Sequence, residues 1–354
     1  MKSVLASLVL LIGMLGTIVQ AEDTPANALL ILAKQDGMLL IVDPANLRVI
    51  AHIPVGKDPH EVIASTDGKM AYASNYGSGA FNTLAVVDLV AQKSLPSIDL
   101  GALRGPHGLT FVGGKAWFTA EGAKAIGSYD PATKSVDWIL GTGQNRTHMI
   151  YVSPDLKQIV TTNVSSGTVS IIEKTPPRQP GPPPGMAARA QPGPPQGPPP
   201  GPPGGDWDET VIRVGNGSEG FDISPDHKEI WVGNSQEGTI SIIDFASKKV
   251  VDTIAANARG ANRLKFTPDG ARVFVSTLSG GELIILDAHT HKELKRLKLG
   301  KGSAGILMQP DGARAFVACS PDNNIAVIDL KTLEVVSRLE VGQEPDGMAW
   351  SVSQ

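Results

Sequence analysis

Three of the seven histidines in this chain stand in the same local setting, and they are the residues best suited to chemistry. His60, His107 and His148 each precede a short apolar run, at intervals of 47 and 41 residues. Three imidazoles in one place could ligate a metal and leave a position open for water or substrate. Imidazole suits Zn, Cu, Fe or Ni, so the donor type does not select the metal. The alternative is a polar, water-filled channel in which these histidines are neutral hydrogen-bonding groups.

The elements that must position these histidines are short strands in a repeat of about 42 residues, the size of one propeller blade. Turn signals built on Asp with Pro or Gly separate the apolar runs and begin at Ser65, Ser153, Ser224, Thr267 and Gln309. The runs are rich in β-branched and aromatic residues, as in "AYASN" and "IWVGN", which predicts strands. Four strands per repeat, with no helical pattern between them, predict an all-β propeller.

The number of repeats predicts seven blades in one domain over residues 22–354. Six complete units begin near Pro59, Pro106, Thr147, Ser218, Ala261 and Ser303. The N-terminal part supplies only strands two to four of another blade, and the C-terminal "EPDGMAW" supplies a lone first strand. We therefore expect a seven-bladed β-propeller with four antiparallel strands per blade, in which the two chain ends complete one blade. Such closure leaves no open edge at the seam.

Aligning the first strands puts the three histidines at one equivalent position, which we call the ring position. It holds His60, His107, His148, Glu219, Asn262, Ala304 and Asp346 in turn. Because first strands line the central channel of a propeller, these side chains should converge at one mouth of the channel. We add Arg146 and Arg263, which flank the ring position and could bind a carboxylate, and Tyr76 and Glu121, which follow second strands ending at this mouth. Each of these four residues, taken alone, is also an ordinary turn or capping residue.

The strand-two segments "AYASN", "IWVGN" and "VFVST", with "PDG" before them and "VD" or "ID" after, resemble the YVTN-repeat β-propellers of secreted and periplasmic bacterial proteins. The resemblance covers nearly the whole chain after residue 21. It implies the propeller fold and does not imply a reaction, because related seven-bladed folds include lactonases and the propeller domains of haem, copper and quinone redox enzymes.

The N-terminus has the three-part pattern of a secretory signal peptide. One lysine precedes an uncharged apolar run of 16 residues, and small residues lead to Ala21. The run is shorter than the roughly 18–20 residues that a membrane span needs. We expect residues 1–21 to be a signal peptide, the mature chain to start at Glu22 without a membrane span, and the protein to be periplasmic or secreted. Cys319 is the only cysteine, so no intrachain disulfide is possible.

Residues 175–208 form a Pro/Gly-rich insertion between strands three and four of the fourth blade. Residues 175–205 hold 14 Pro and 7 Gly without a strict glycine period, which excludes collagen and predicts a disordered, extended segment. It should leave the propeller on the face opposite the ring position. The insertion could serve as a simple spacer or as a docking arm for a partner with an aromatic groove.

The net charge and the lack of known catalytic motifs favour either binding or catalysis at the histidine-lined mouth of the channel. A net charge of −4 without a basic block argues against nucleic acid as a partner. No Ser–His–Asp or Cys–His signature and no phosphate-cradling loop is present. We expect an exported, monomeric binding or scaffold protein that takes a small molecule, a metal (Zn, Cu or Fe) or a partner protein at the histidine-lined mouth. The alternative is an enzyme at the same mouth, either a metal-dependent oxidoreductase or a lactone hydrolase.

Overall fold

The computed structural model describes residues 22–175 and 206–353, which fold into strands and short turns. The strands are β1 (Asn27–Ala33), β2 (Met38–Asp43), β3 (Arg48–Pro54), β4 (Pro59–Ala64), β5 (Met70–Asn75), β6 (Thr83–Asp88), β7 (Lys93–Asp99), β8 (Pro106–Val112), β9 (Lys115–Ala120), β10 (Ala125–Asp130), β11 (Ser135–Gly141), β12 (Thr147–Val152), β13 (Gln158–Asn163), β14 (Thr168–Lys174), β15 (Trp207–Arg213), β16 (Ser218–Ile223), β17 (Glu229–Asn234), β18 (Thr239–Asp244), β19 (Lys249–Ile254), β20 (Ala261–Phe266), β21 (Arg272–Thr277), β22 (Glu282–Asp287), β23 (Glu293–Lys298), β24 (Ile306–Met308), β25 (Arg314–Cys319), β26 (Asn324–Asp329), β27 (Glu334–Glu340) and β28 (Pro345–Val352). Single 3₁₀ turns lie at Gly77–Gly79, Glu121–Ala123 and Ser320–Asp322.

These strands form seven four-stranded antiparallel sheets arranged as a ring, which confirms the predicted seven-bladed β-propeller. Blade 1 has the order β28-β1-β2-β3, and blades 2 to 7 each use four consecutive strands from β4 to β27. The C-terminal β28 pairs antiparallel with the N-terminal β1, so the two chain ends complete blade 1 as expected.

One first strand begins later than the sequence indicated. In blade 7 the regular strand β24 starts at Ile306 and not near Ser303. The Ser303 hydroxyl instead donates to the backbone carbonyls of Thr277 and Glu282 in blade 6, which holds this segment against the neighbouring blade. Ala304 still donates its N–H to the carbonyl of Ala318, so the ring position of blade 7 remains attached to its own sheet.

The core lies between neighbouring blades and is built from the two middle strands of each. Third positions of second strands carry large side chains such as Trp231, Phe274 and Phe316, all fully buried. Burying a side chain of this kind contributes about 1.5–3 kcal/mol. The outer strands are different: β19 in blade 5 is exposed along nearly its whole length. The first strands that line the channel are therefore held in place by the packing between neighbouring blades.

Glycines and hydroxyls fix the first strands against one another. The residue after the ring position is glycine in four blades, and a Cβ on Gly347 would lie 2.3 Å from the carbonyl oxygen of His60 in the next blade. In blade 3 the Thr119 hydroxyl accepts the N–H of Gly108 at 2.9 Å and donates to the carbonyl of His148 in blade 4 at 2.7 Å. Ser74, Thr162 and Ser276 make the same bridge in their blades. These four bridges hold neighbouring first strands together at the level of the ring position.

Both predicted terminal and inserted segments lie largely outside the described residues. The chain leaves blade 4 at Thr175 and returns at Asp206, where the N–H of Thr175 donates to the carbonyl of Asp206 at 2.8 Å. Trp207 and Asp208, at the end of the predicted insertion, belong to β15. Within residues 22–175 and 206–353, no helix is long and apolar enough to cross a membrane.

Candidate functional site

The structure brings the three histidines of the ring position into one cluster. The ring centroids of His60 and His107 are 5.0 Å apart, and those of His107 and His148 are 3.8 Å apart. Tyr76 lies edge-on to both His60 and His107, at 4.8 and 5.0 Å. We call the group of side chains at this channel mouth the dish; it consists of His60, Tyr76, His107, Glu121, Arg146, His148 and Glu219.

His148 lies between two carboxylates, which favour its protonated, imidazolium form. Its Nδ1 is 2.5 Å from Glu121 Oε1, and its Nε2 is 3.3 Å from Glu219 Oε1, without the alignment of a hydrogen bond. Burial alone would lower the pKa of His148, but the two carboxylates outweigh it and raise the pKa above 6.5. Burial would likewise raise the pKa of Glu219, and the partners His148 and Arg146 bring that pKa down to about 2.

His107 is the opposite case, a neutral imidazole next to a charged one. It is 3% exposed, and this burial, with the neighbouring His148 charge, holds its pKa well below 6.5. Its Nδ1 is buried without a hydrogen-bond partner. A buried polar atom that lacks a partner costs about 1–3 kcal/mol, so such atoms are rare in folded proteins and call for an explanation.

Arg146 and Tyr76 close the solvent side of the cluster. The Tyr76 hydroxyl donates to Glu121 Oε2 at 2.5 Å, and burial together with this carboxylate raises the pKa of Tyr76 to about 12. Arg146 Nε lies 3.5 Å from Glu121 Oε2, and its Nη2 lies 3.7 Å from Glu219 Oε1. The Arg146 side chain is 39% exposed while Glu121 and Glu219 are 5% and 14% exposed. The guanidinium is therefore the charge of this group that an approaching molecule meets first.

A second group of charges flanks His60 on the other side of the dish. His60 Nε2 lies 3.1 Å from Asp58 Oδ1, and its Nδ1 lies 3.5 Å from Asp346 Oδ2. The hydrogen bond to His60 is the largest of the effects that lower the pKa of Asp58. Lys34 reaches both Asp346 and Glu344 at 3.8 Å. The predicted Asp346 thus belongs to the site, and Asp58, Lys34 and Glu344 are additional members that the sequence analysis missed.

A positive backbone φ marks three of these charged residues. Asp58, Arg146 and Glu344 directly precede first strands and have φ values of 50, 59 and 51°. Blades 3, 5 and 6 have glycine at the same place, with φ values between 67 and 75°. Non-glycine residues in left-handed backbone are uncommon and often mark functional sites. In this chain they also occur in ordinary turns, for example at Lys134 and Lys248. Aligning this column of the repeat would have singled out Asp58 and Glu344 from the sequence.

Two other predicted residues, Arg263 and Asn262, are buried inside the channel. Arg263 is 6% exposed and forms an ion pair with Glu61. These two residues stand one position after the ring position in blades 6 and 2, so their ion pair spans the channel; we call it the crossbar. Asn262 occupies the ring position of blade 6, where it is 6% exposed and its Oδ1 is buried without a partner. Ala304, at the same level, contributes no polar group.

The donor geometry does not fit the metal that the sequence suggested. Among the described residues, no group of three or more His, Cys, Asp or Glu side chains is arranged to hold a metal ion. The physical reason is that His60 and His148 each direct both ring nitrogens towards carboxylates. The three imidazoles therefore pack against one another while His60 and His148 pair with carboxylates, and they do not form a His₃ ligand set.

Part of the chain matches a known protein family. Residues 206–313 match the family described as the cytochrome D1 heme domain, which is less than half of the chain. A haem iron held by a histidine would need an imidazole nitrogen free to coordinate it. In the dish both nitrogens of His60 and of His148 face carboxylates, so these two residues do not fit axial ligation of a haem. A comparison with curated protein sequences returned no match.

Solved structures resemble the whole chain in fold at low sequence identity. A functionally unknown protein from Desulfotomaculum acetoxidans has 12% identity and a TM-score of 0.69, with 92% of this chain and 98% of that chain covered. A candidate 6-phosphogluconolactonase from Bacteroides fragilis has 15% identity and a TM-score of 0.68, with 95% and 99% covered. Dihydro-heme d1 dehydrogenase NirN has 16% identity and a TM-score of 0.61, with 94% and 77% covered. These similarities show the propeller fold alone.

Proposed function

We propose that the protein is an exported binding protein whose dish takes a small polar molecule carrying an acidic group. The observation that carries the proposal is the concentration of unpartnered polar atoms at the ring position. His107 Nδ1 and Asn262 Oδ1 are two of the five buried side-chain atoms that lack a hydrogen-bond partner in the described part of the chain, and neither faces a charged partner. A ligand that supplies these partners would recover a cost that the free protein bears.

The charges of the dish support an acidic group on the ligand. Glu121 and Glu219 already have His148 and Arg146 as partners, whereas the Arg146 guanidinium is the more exposed member of the group. A guanidinium has five N–H donors and binds a carboxylate or phosphate through paired hydrogen bonds. Arg146 would anchor the acidic group, while the buried ring-position atoms bind the uncharged part of the molecule.

Export is part of this proposal and is supported by residues 1–21, with their short apolar run and small residues before Glu22. An exported protein meets its ligand outside the cytoplasm. Mass spectrometry of the exported protein should give an N-terminus at Glu22, and retention of residues 1–21 would contradict export by cleavage of a signal peptide.

Native mass spectrometry of the protein purified from its own cells tests the binding. We expect a discrete bound mass on the wild-type protein that the Arg146→Gly variant has lost. Glycine is the natural residue at this backbone position in blades 3, 5 and 6, so the variant should fold. Arg104→Gly is the matched control, because it removes an exposed arginine elsewhere in a blade-connecting segment. The same bound mass on Arg146→Gly, or none on the wild type, would overturn the proposal.

Lactone hydrolysis is a second candidate, favoured by one observation. The ring centroids of His107 and His148 are 3.8 Å apart, and the pKa of His107 is lowered while that of His148 is raised. A general base and a general acid could therefore act on the same substrate. The fold similarity to candidate 6-phosphogluconolactonases points to the substrate class to try first. Hydrolysis of 6-phosphogluconolactone above the uncatalysed rate, lost in His107→Gln, would favour catalysis over simple binding.

A further inference from the structure

We propose a second small-molecule site in the channel, on the side of the crossbar away from the dish. A cavity of about 380 Å³ lies there, lined by first-strand residues of all seven blades. Its walls include Ile63, Phe111, Tyr151, Ile223, Leu307 and Trp350. We call this cavity the lower chamber. It opens on the propeller face that carries the turns between first and second strands.

The crossbar separates the lower chamber from the dish. Glu61 and Arg263 line the inner end of the chamber, and their ion pair joins opposite sides of the ring. Arg263 also donates to the carbonyl of Asn262 at 3.1 Å, which ties the crossbar to the ring position. The side chains of Arg263 and Glu61 are 7% and 14% exposed. The crossbar therefore stands across the channel between the lower chamber and the histidines.

The lining indicates an uncharged ligand that has both apolar and polar parts. Every charge identified on the walls already has a partner: Arg263 pairs with Glu61, and Lys265 Nζ lies 3.2 Å from Asp222 Oδ1. Asp222 also accepts the backbone N–H of Phe266 at 2.9 Å. A charged ligand would compete with these pairs, whereas an apolar one would cover aromatic and aliphatic side chains. The cavity volume falls within the range of about 300–1,000 Å³ that is usual for small-molecule pockets.

Fluorescence titration of the full-length mature protein with N-phenyl-1-naphthylamine, a neutral apolar probe, tests the site. We expect saturable binding to the wild type. Ala64→Phe and Thr110→Phe add bulk to the chamber wall from blades 2 and 3, and each should weaken binding about tenfold or more. Ala91→Phe, at an exposed turn, is the matched control and should bind as the wild type does. Arg146→Gly should also bind normally, because the dish is on the other side of the crossbar.

A second measurement does not depend on the filled variants folding. Trp350 lines the chamber, so 1-bromohexane, a contact quencher, should quench tryptophan fluorescence with a saturable component that Trp350→Phe lacks. Absence of saturable probe binding to the wild type would overturn the proposal. So would unchanged binding by folded Ala64→Phe and Thr110→Phe variants, or saturable quenching that persists in Trp350→Phe.

Discussion

At the scale of single residues, the dish combines an imidazolium and a neutral imidazole in direct contact. Glu121 and Glu219 face the two nitrogens of His148 and favour its charged form, whereas burial beside His148 favours the neutral form of His107. This pairing gives the site an imidazolium, which only donates hydrogen bonds, next to a neutral imidazole, which can also accept one. It also makes the free energy of unfolding of the propeller depend on pH.

The contribution of His148 to stability should be largest between about pH 4.5 and 6.5. Its folded pKa is raised above 6.5, so its stabilisation is present below 6.5 and is lost as the pH rises through the folded pKa. The folded pKa of Glu219 is about 2, so its contribution is present above 4.5 and is lost as the pH falls towards 2. His148→Gln should lower the free energy of unfolding by about 3 kcal/mol near pH 5.5, and by clearly less near pH 9.

Denaturant titrations of both proteins at the two pH values measure this difference. His289→Gln, at an exposed turn residue, is the control that should show no such dependence on pH. An equal loss of stability at both pH values would mean that His148 is not an imidazolium in the folded protein.

Sequence reasoning located the ring position because the repeat length makes equivalent residues comparable, and His60, His107 and His148 fall in one column. It did not find the partners of these residues. Asp58, Lys34 and Glu344 come from turns and from a different blade, and whether their charges meet depends on how the blades pack around the channel. The metal suggestion was unsupported for a related reason, since the carboxylates that face the two nitrogens of His148 belong to neighbouring blades.

At the scale of elements, the first strands lie close enough that side chains beside the ring position are excluded in four blades. A Cβ on Gly347 would lie 2.3 Å from the His60 carbonyl, which no ordinary packing allows. Gly347→Ala should therefore destabilise the propeller by about 1–3 kcal/mol and shift His60 in the dish. Gly141→Ala, where a Cβ would meet nothing within 4 Å, is the control. Thermal unfolding of the two variants measures the effect, and equal midpoints would show that the first strands can separate at little cost.

The four-strand pattern of each blade was predictable because alternation and turn residues are local signals. The late start of β24 was not, because it follows from hydrogen bonds of Ser303 to Thr277 and Glu282 in another blade. The bridges from Thr119 and its equivalents were equally invisible, since each joins residues that are neighbours only once the ring has closed.

At the scale of the whole molecule, the ring should tolerate loss of the insertion and should not tolerate loss of its closing strand. Lys174 pairs with Trp207, so deleting residues 176–205 leaves Thr175 and Asp206 as a two-residue hairpin loop. A Pro/Gly-rich segment buries little apolar surface, so the midpoint of thermal unfolding should change by less than about 3 °C.

Removing residues 345–354 is the contrasting deletion, because it takes away β28 and reopens blade 1. We expect it to abolish cooperative thermal unfolding. Calorimetry of both deletions gives the comparison. A large drop in the midpoint after removal of residues 176–205 would show that the insertion packs on the propeller, and a cooperative transition without β28 would show that closure is dispensable.

A high-resolution crystal structure of the protein isolated from its own cells would show directly whether the dish holds a ligand. We expect an organic molecule in the dish, with its acidic group on Arg146 and a polar atom within hydrogen-bond distance of His107 Nδ1 or Asn262 Oδ1. Ordered water alone at those two atoms, with Arg146 bound only to Glu121 and Glu219, would contradict this expectation.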